Sequence, residues 1–129
     1  MIVQRLRPHA ALAALAMAMT VAVPAQAHHS FAMFDNTKAV TLDGAVREFQ
    51  WTNPHTWIQI VVKDANGRAV EWSIEGGSPN ALARTGWKRE SLKPGDHALV
   101  VIHPLKDGSN GGSLVTASVN GVIVGGRGQ

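Results

Sequence analysis

The chain has 129 residues, with 12 Lys and Arg against 9 Asp and Glu, a formal net charge of +3 and no cysteine. Without cysteine it can form no disulfide and carry no lipid on a thiol, so its folded part must be stabilised by its core alone. Arg5 and Arg7 lie in a segment typical of a cleaved leader, and the net charge without these two residues is +1. Such a balance argues against nucleic acid as a partner.

The first 27 residues have the order of regions found in secretory signal peptides. Two arginines are followed by an uncharged stretch over residues 10–23 and by a proline and small residues that end at Ala27. A membrane helix is the competing interpretation, but this stretch is shorter than the roughly 20 residues that cross a bilayer. We therefore expect cleavage after Ala27, export to the periplasm, and a mature protein that begins at His28 and does not span the membrane.

The remaining 102 residues suffice for one modest core and are too few for two ordinary domains. We expect an N-terminal arm over residues 28–39, a β-domain over residues 40–124 and a disordered tail over residues 125–129.

Short strands separated by turn residues are predicted within the β-domain. Gly44 interrupts the first strand and favours a bend or bulge there. The segment 64–67 is typical of a hairpin turn, the segment 107–112 of a flexible glycine-rich loop, and Asn120-Gly121 of a tight turn. The predicted strands cover residues 40–51, 57–63, 69–75, 97–103, 114–120 and 122–124.

One short helix is predicted between the third and fourth strands. Ser78 can act as its N-cap, Pro79 suits its first position, and Gly86 suits a left-handed residue after its end. This order of elements predicts an all-β fold, a small, partly open five- or six-stranded barrel of the OB type. A small β-sandwich is the alternative. Alternation along the third strand places Trp72 in the core together with Ile74.

Five motifs are spread over the mature chain. They are His28-His29-Ser30-Phe31, Trp51-Thr52-Asn53-Pro54-His55-Thr56-Trp57, Glu75-Gly76-Gly77-Ser78-Pro79-Asn80, Lys93-Pro94-Gly95-Asp96 and His103-Pro104-Leu105-Lys106-Asp107-Gly108. Together they resemble a family of small exported bacterial proteins known only as a domain of unknown function. The resemblance implies export and a compact β-domain, and it brings no activity, ligand or catalytic residue.

The predicted mature N-terminus is the first candidate metal site. The free α-amine and ring Nδ1 of His28 can chelate one ion, an arrangement that resembles the histidine brace of copper proteins, which adds a second imidazole. His29 offers another route, through the amine, a backbone nitrogen and its own ring. Nitrogen ligands in a planar geometry favour Cu(II). The alternative is that both histidines are the polar start of a flexible arm.

His55 and His103 are the candidate partners for that site. His55 follows Pro54 at the mouth of the second strand, and His103 precedes Pro104 at the end of the fourth. The loops at these two positions flank one binding face in an OB-type barrel, so the two rings could lie close together. The alternative role of His55 is a hydrogen bond that ties the Asn53-Pro54 turn. His97 lies roughly 20 Å from His103 along the strand and is predicted to be a solvated surface residue.

Two functional hypotheses follow. The first is a periplasmic metal-ion binding module with copper as cofactor, ligated by His28 or His29 and by His55 or His103, and with an envelope protein as a further partner. The second is a non-catalytic envelope module that binds a glycan, peptide or protein through Trp51, Trp57 or Trp87, although the scarcity of other aromatic residues favours these rings in the core. The carboxylates are scattered and no nucleophile motif is present, so we predict that the protein is not an enzyme. Copper-dependent oxidation is the one enzymatic activity that stays open.

Overall fold

The structure is a computed structural model, and it describes residues 31–126. The predicted signal peptide, His28 and His29 lie outside the described residues. Within them a 3-10 turn, six strands and one helix follow in chain order. They are the 3-10 turn Phe31–Met33, β1 Val40–Gln50, β2 Trp57–Lys63, β3 Ala69–Glu75, α1 Pro79–Ala83, β4 His97–Pro104, β5 Gly111–Val119 and β6 Val122–Gly126.

Five strands close into a barrel in the order β1-β2-β3-β5-β4, because β4 pairs back onto β1. All these neighbours are antiparallel except β3 and β5, which form a parallel closing seam of three residue pairs from Ser73–Gly111 to Glu75–Ser113. The sixth strand, β6, pairs with the C-terminal half of β5 outside the barrel. The predicted OB-type barrel with its helix between strands three and four is confirmed, and β3 and β5 close it fully.

The core of the barrel consists of inward-facing side chains, which come from every second residue of the strands. In β4 the side chains of Ala98, Val100 and Ile102 are fully buried, whereas Leu99 between them is 39% exposed. Helix α1 contributes the buried Leu82, and the loop after the helix contributes Trp87, which is largest among the fully buried side chains of the described residues. Trp72 lies half-buried against this cluster, in agreement with its predicted inward orientation.

The local signals for α1 act as predicted. The Ser78 hydroxyl accepts a hydrogen bond from the Ala81 N–H at 3.2 Å, and Pro79 occupies the first helical position. Gly86 adopts a φ of +96°, the left-handed conformation that glycine takes most easily.

Three local predictions are wrong. The β1 irregularity lies between Val46 and Glu48, whereas Gly44 stays in register because its lack of a Cβ lets the β2 backbone at Val61 approach closely. The predicted loop 107–112 ends early, because its last two glycines already belong to β5. The predicted tail also begins too early, because residues 125–126 are part of β6.

No helix within residues 31–126 is long and apolar enough to cross a bilayer.

Candidate functional site

The described part of the N-terminal arm, residues 31–39, lies against the barrel beside the closing seam. Phe34 is 5% exposed and forms a β-bridge with Leu105 in the β4–β5 loop. The Asp35 N–H donates to the Pro104 carbonyl at 2.8 Å, and the Lys106 N–H donates to the Met33 carbonyl at 3.0 Å. These bonds hold the arm around Phe34 against the β4–β5 loop.

The β1–β2 loop that carries His55 is held against the segment after β3. The Thr56 N–H and hydroxyl both donate to the Gly77 carbonyl, at 3.0 and 2.9 Å, and the Gly76 N–H donates to the Thr56 carbonyl at 2.8 Å. Thr56 is buried, and a Cβ on Gly76 would collide with the Thr56 hydroxyl. The Thr52 hydroxyl donates to the His55 carbonyl at 2.9 Å. The backbone of His55 is therefore fixed by the fold.

The His55 ring has one nitrogen engaged and one available. Its Nδ1 lies 3.2 Å from the Gly76 carbonyl oxygen and 3.3 Å from Glu75 Oε1. Because both neighbours are acceptors, Nδ1 carries the ring proton and Nε2 keeps its lone pair. Nε2 has no hydrogen-bond partner among residues 31–126, and the side chain is 32% exposed. A metal-ligating histidine typically has this arrangement, with its other nitrogen held by a carboxylate or carbonyl.

His55 opens on a small cavity of about 50 Å³. Two buried polar groups that the sequence did not single out face it. The Glu75 side chain is 10% exposed, and the Ser113 hydroxyl is buried with no hydrogen-bond partner in the described part of the chain. The two residues are paired across the seam, so their side chains lie on the same face of the sheet. The cavity is lined by Phe31, His55, Glu75, Gly76, Gly77, Ser113 and Leu114.

The other two histidines in the described part of the chain are not among the residues that line this cavity. His103 Nδ1 donates to the Lys38 carbonyl at 2.7 Å, which ties the ring to the arm. His97 is exposed at the opposite end of β4, with Nε2 2.6 Å from Asp43 Oδ1, in agreement with its predicted surface position. Within residues 31–126 no three His, Asp or Glu side chains form a group that could hold a metal ion. His103 is therefore tied to the arm, whereas His55 opens on the cavity.

The tryptophan surface of the second hypothesis is weakened by burial. Trp87 is 1% exposed, so its assignment to a contact surface is wrong. Trp51 is half-buried and packs edge-on against Phe49, with ring centroids 5.7 Å apart. Trp57 is also half-buried and lines an apolar cavity of about 150 Å³ beside the arm. Each of these two rings is therefore partly covered by the fold.

Asp35 stabilises the turn by which the arm enters β1. Its carboxylate accepts from the Thr37 hydroxyl at 2.5 Å and the Thr37 N–H at 3.1 Å, and it lies 3.1 Å from Lys38 Nζ. The hydroxyl of Thr37 and then the ammonium of Lys38 lower the pKa of Asp35 from 3.8 to about 2. Since the pKa is lower in the folded state, this stabilisation is complete above the unfolded-state pKa and is lost as the pH falls through about 2.

Replacing Thr37 by valine is expected to raise the pKa of Asp35 toward 3.8, because the largest cause of its lowering is removed. NMR titration of the Asp35 carboxyl carbon measures this shift. Thr41→Val, an exposed threonine in the adjoining strand, is the matched control and should leave the pKa unchanged. An unchanged pKa in Thr37→Val would show that the turn is held in another way.

The order of the strands and the place of the helix define the protein as a small OB-type barrel with an arm packed beside its closing seam. The chain belongs to a family of unknown function, DUF6152, whose model matches residues 15–115. This confirms the resemblance to a family known only as a domain of unknown function. Neither the curated proteins nor the solved structures contain a match to this chain.

Proposed function

We propose that the processed protein binds one Cu(II) ion in the periplasm, as a binding module and not as an enzyme. The α-amine and ring Nδ1 of His28 supply two nitrogen ligands, and Nε2 of His55 supplies the third. The observation that carries this proposal is that Phe31 lines the same cavity as His55. The chain that precedes Phe31 therefore starts beside His55.

Chain length supports the pairing of these two histidines. His28 is three residues before Phe31, and an extended chain spans at most about 3.3–3.6 Å per residue. The Cα of His28 must therefore lie within about 11 Å of the Cα of Phe31. This distance lets the amine and ring of His28 meet an ion on His55.

The chemistry of His55 also suits a copper ligand. Nδ1 is held by the Gly76 carbonyl and lies beside Glu75, so the ring presents Nε2 in a fixed direction. The negative charge of Glu75 favours a cation close to the ring. His103 is left out of the proposal because it is not among the residues that line the cavity.

The test compares the protein that begins at His28 with the same protein extended by Gly-Ser-Gly-Ser at its N-terminus, because a two-residue extension would put His28 third in the chain and create a new amine–amide–imidazole chelate for Cu(II). The authentic protein is expected to take up one Cu(II). The extension and His55→Ala should each weaken binding at least about tenfold, because a nitrogen ligand is lost in each case. Competition titration against a chelator of known affinity gives the dissociation constants, and nitrogen hyperfine structure in the EPR spectrum counts the ligands.

His97→Ala, at an exposed histidine at the opposite end of β4, is the matched control and should bind copper as the wild type does. Equal binding by the authentic and extended proteins would overturn the proposal. Loss on extension together with full binding by His55→Ala would instead support chelation through His29, with the amine, a backbone nitrogen and the His29 ring.

A further inference from the structure

The inward faces of β2 and β3 lose their cover toward the hairpin that joins these two strands. In β2, Ile60 is 0% exposed, whereas Val62, two residues further along, is half-buried. In β3, Ile74 is 0% exposed, whereas Trp72 and Val70 on the same face are half-buried. Because alternate residues of a strand share one face, these three half-buried side chains continue the apolar interior of the barrel. The interior is therefore accessible from this end.

Strand pairing explains why the barrel is open here. β3 pairs with β5 only from Ser73 to Glu75, and within residues 31–126 the segment 69–72 pairs with β2 alone. The Ser73 N–H donates to the Asn110 carbonyl at 3.2 Å, at the point where the β4–β5 loop enters the seam. The first half of β3 therefore leaves a gap in the barrel wall next to this loop.

A cavity of about 400 Å³ lies at this opening, and we call it the hairpin-end cavity. Its apolar wall consists of Val62, Val70, Trp72 and Leu42, and Leu42 is 3% exposed and belongs to the central core cluster. Pockets that hold small organic ligands have volumes of roughly 300–1,000 Å³ and mostly apolar walls. The hairpin-end cavity therefore has the size and the wall of a ligand pocket.

The rim of the hairpin-end cavity carries one positive charge without a counter-charge. Asp64 lines the rim, but its carboxylate accepts from the Asn66 N–H, the Arg68 N–H and Arg68 Nε, at 2.8, 2.9 and 3.0 Å. Lys63 also lines the cavity and forms no ion pair within the described part of the chain. Asn110 lines the cavity from the β4–β5 loop and can supply an amide donor. The charge of this rim therefore favours an anion.

We propose that the hairpin-end cavity binds a small amphipathic monocarboxylate, with its apolar tail against Trp72 and its carboxylate at Lys63 and Asn110. The apolar wall favours a tail that would otherwise be exposed to water. The indole of Trp72 offers a large contact area for that tail. The ammonium of Lys63 attracts a carboxylate and repels a cationic head group.

This inference is independent of the proposed copper site. The hairpin-end cavity shares no lining residue with the cavity beside His55. It requires neither cleavage after Ala27 nor a metal ion. Carboxylate binding can therefore succeed or fail whatever the result of the copper titration.

The test titrates decanoate, below its micelle concentration, into the protein that begins at His28, in excess EDTA. Isothermal titration calorimetry gives the dissociation constant, and NMR spectra of the backbone and indole N–H groups locate the ligand. Decanoate is expected to bind one molecule per chain and to shift the indole N–H of Trp72. Decyltrimethylammonium, which has the same tail and the opposite charge, should bind at least about fivefold more weakly.

Substitutions at the rim and in the wall test the two parts of the ligand separately. Lys63→Gln is expected to weaken decanoate binding about two- to fivefold, the range for an exposed ion pair. Val70→Glu places a carboxylate in the apolar wall and should weaken binding at least about tenfold, and more than the isosteric Val70→Gln does. Lys88→Gln, at an exposed lysine that does not line the cavity, is the matched control and should bind decanoate as the wild type does.

Measurements on the wild type decide the matter even if a variant does not fold. Equal affinity for decanoate and decyltrimethylammonium would refute the anion site. An unshifted Trp72 indole, or shifts confined to the exposed Val122 and Ile123 of β6, would show that decanoate does not enter the cavity and would refute the inference. Sedimentation of the protein as a dimer that does not bind decanoate would refute it as well, because a second copy would then cover the cavity.

Discussion

Trp87→Ala is expected to lower the free energy of unfolding by about 3–5 kcal/mol, a large part of the stability of a domain of this size. Trp87 is 1% exposed and lies in the central core cluster. Its ring packs against Phe49, with centroids 5.7 Å apart. Its Nε1 donates to the Gly126 carbonyl at 3.0 Å. The substitution therefore removes a large core side chain and the bond that ties β6 to the loop after α1.

Urea denaturation followed by circular dichroism measures this loss. Trp87→Phe is the matched variant, because it keeps an aromatic ring and removes the bond to Gly126. Trp87→Phe should lower the free energy of unfolding clearly less than Trp87→Ala does, since the cavity that it leaves is smaller. A loss below about 1 kcal/mol for Trp87→Ala would contradict the central position of this ring.

The same residue shows where sequence reasoning reached its limit. Trp87 was one of three tryptophans proposed as a contact surface because tryptophan supplies a large contact area, although the scarcity of other aromatic residues favoured these rings in the core. Its burial results from β6, which covers it. Gly125 allows this approach, because a Cβ at that position would lie 2.6 Å from Trp87 Nε1. A contact between residues so far apart in sequence leaves no local pattern.

Most elements were predicted correctly because strong local signals bound them. The bounds of β2 and β3 follow from the turn at residues 64–67 and the glycines after Glu75, and the start of α1 follows from Ser78-Pro79. The start of β5 was missed because Gly111 and Gly112 were taken for a turn. These glycines allow close strand pairing, since a Cβ on Gly111 would lie 3.0 Å from the Ser73 carbonyl oxygen across the closing seam and a Cβ on Gly112 would lie 2.5 Å from the His103 carbonyl oxygen in β4. Parallel pairing of distant strands has no local signal.

The candidate site was predictable only in part. His55 was expected at the mouth of the second strand after Pro54, and it lies there, with its backbone held by Thr52 and by contacts of Thr56. Glu75 and Ser113 were not predicted, because only the β3–β5 register brings a strand's last residue opposite a serine near the start of β5. The run Glu75-Gly76-Gly77 was a usable signal, since a carboxylate there ends a mostly apolar strand.

Phe34→Ala is expected to release the arm and leave the barrel folded. Phe34 is 5% exposed and is the one buried hydrophobic side chain in the described part of the arm. Truncation of a buried phenylalanine costs about 3–5 kcal/mol. Phe34 is not part of the central core cluster, so this cost is expected to appear as local opening of the arm and not as global unfolding.

Hydrogen exchange and copper titration measure the effect of Phe34→Ala. Exchange at the Asp35 and Lys106 N–H groups should accelerate by about 100-fold or more, the equivalent of roughly 3 kcal/mol, whereas exchange within the β1–β4 pairing should change little. Copper affinity should fall, because a released arm no longer holds His28 beside His55 and the cost of ordering it returns to the binding step. Ile123→Ala, at a side chain 75% exposed on β6, is the matched apolar truncation and should alter neither quantity. Unchanged copper affinity despite a released arm would mean that the ion is bound by the N-terminal residues alone, since only a site that includes His55 depends on the contact between the arm and the barrel.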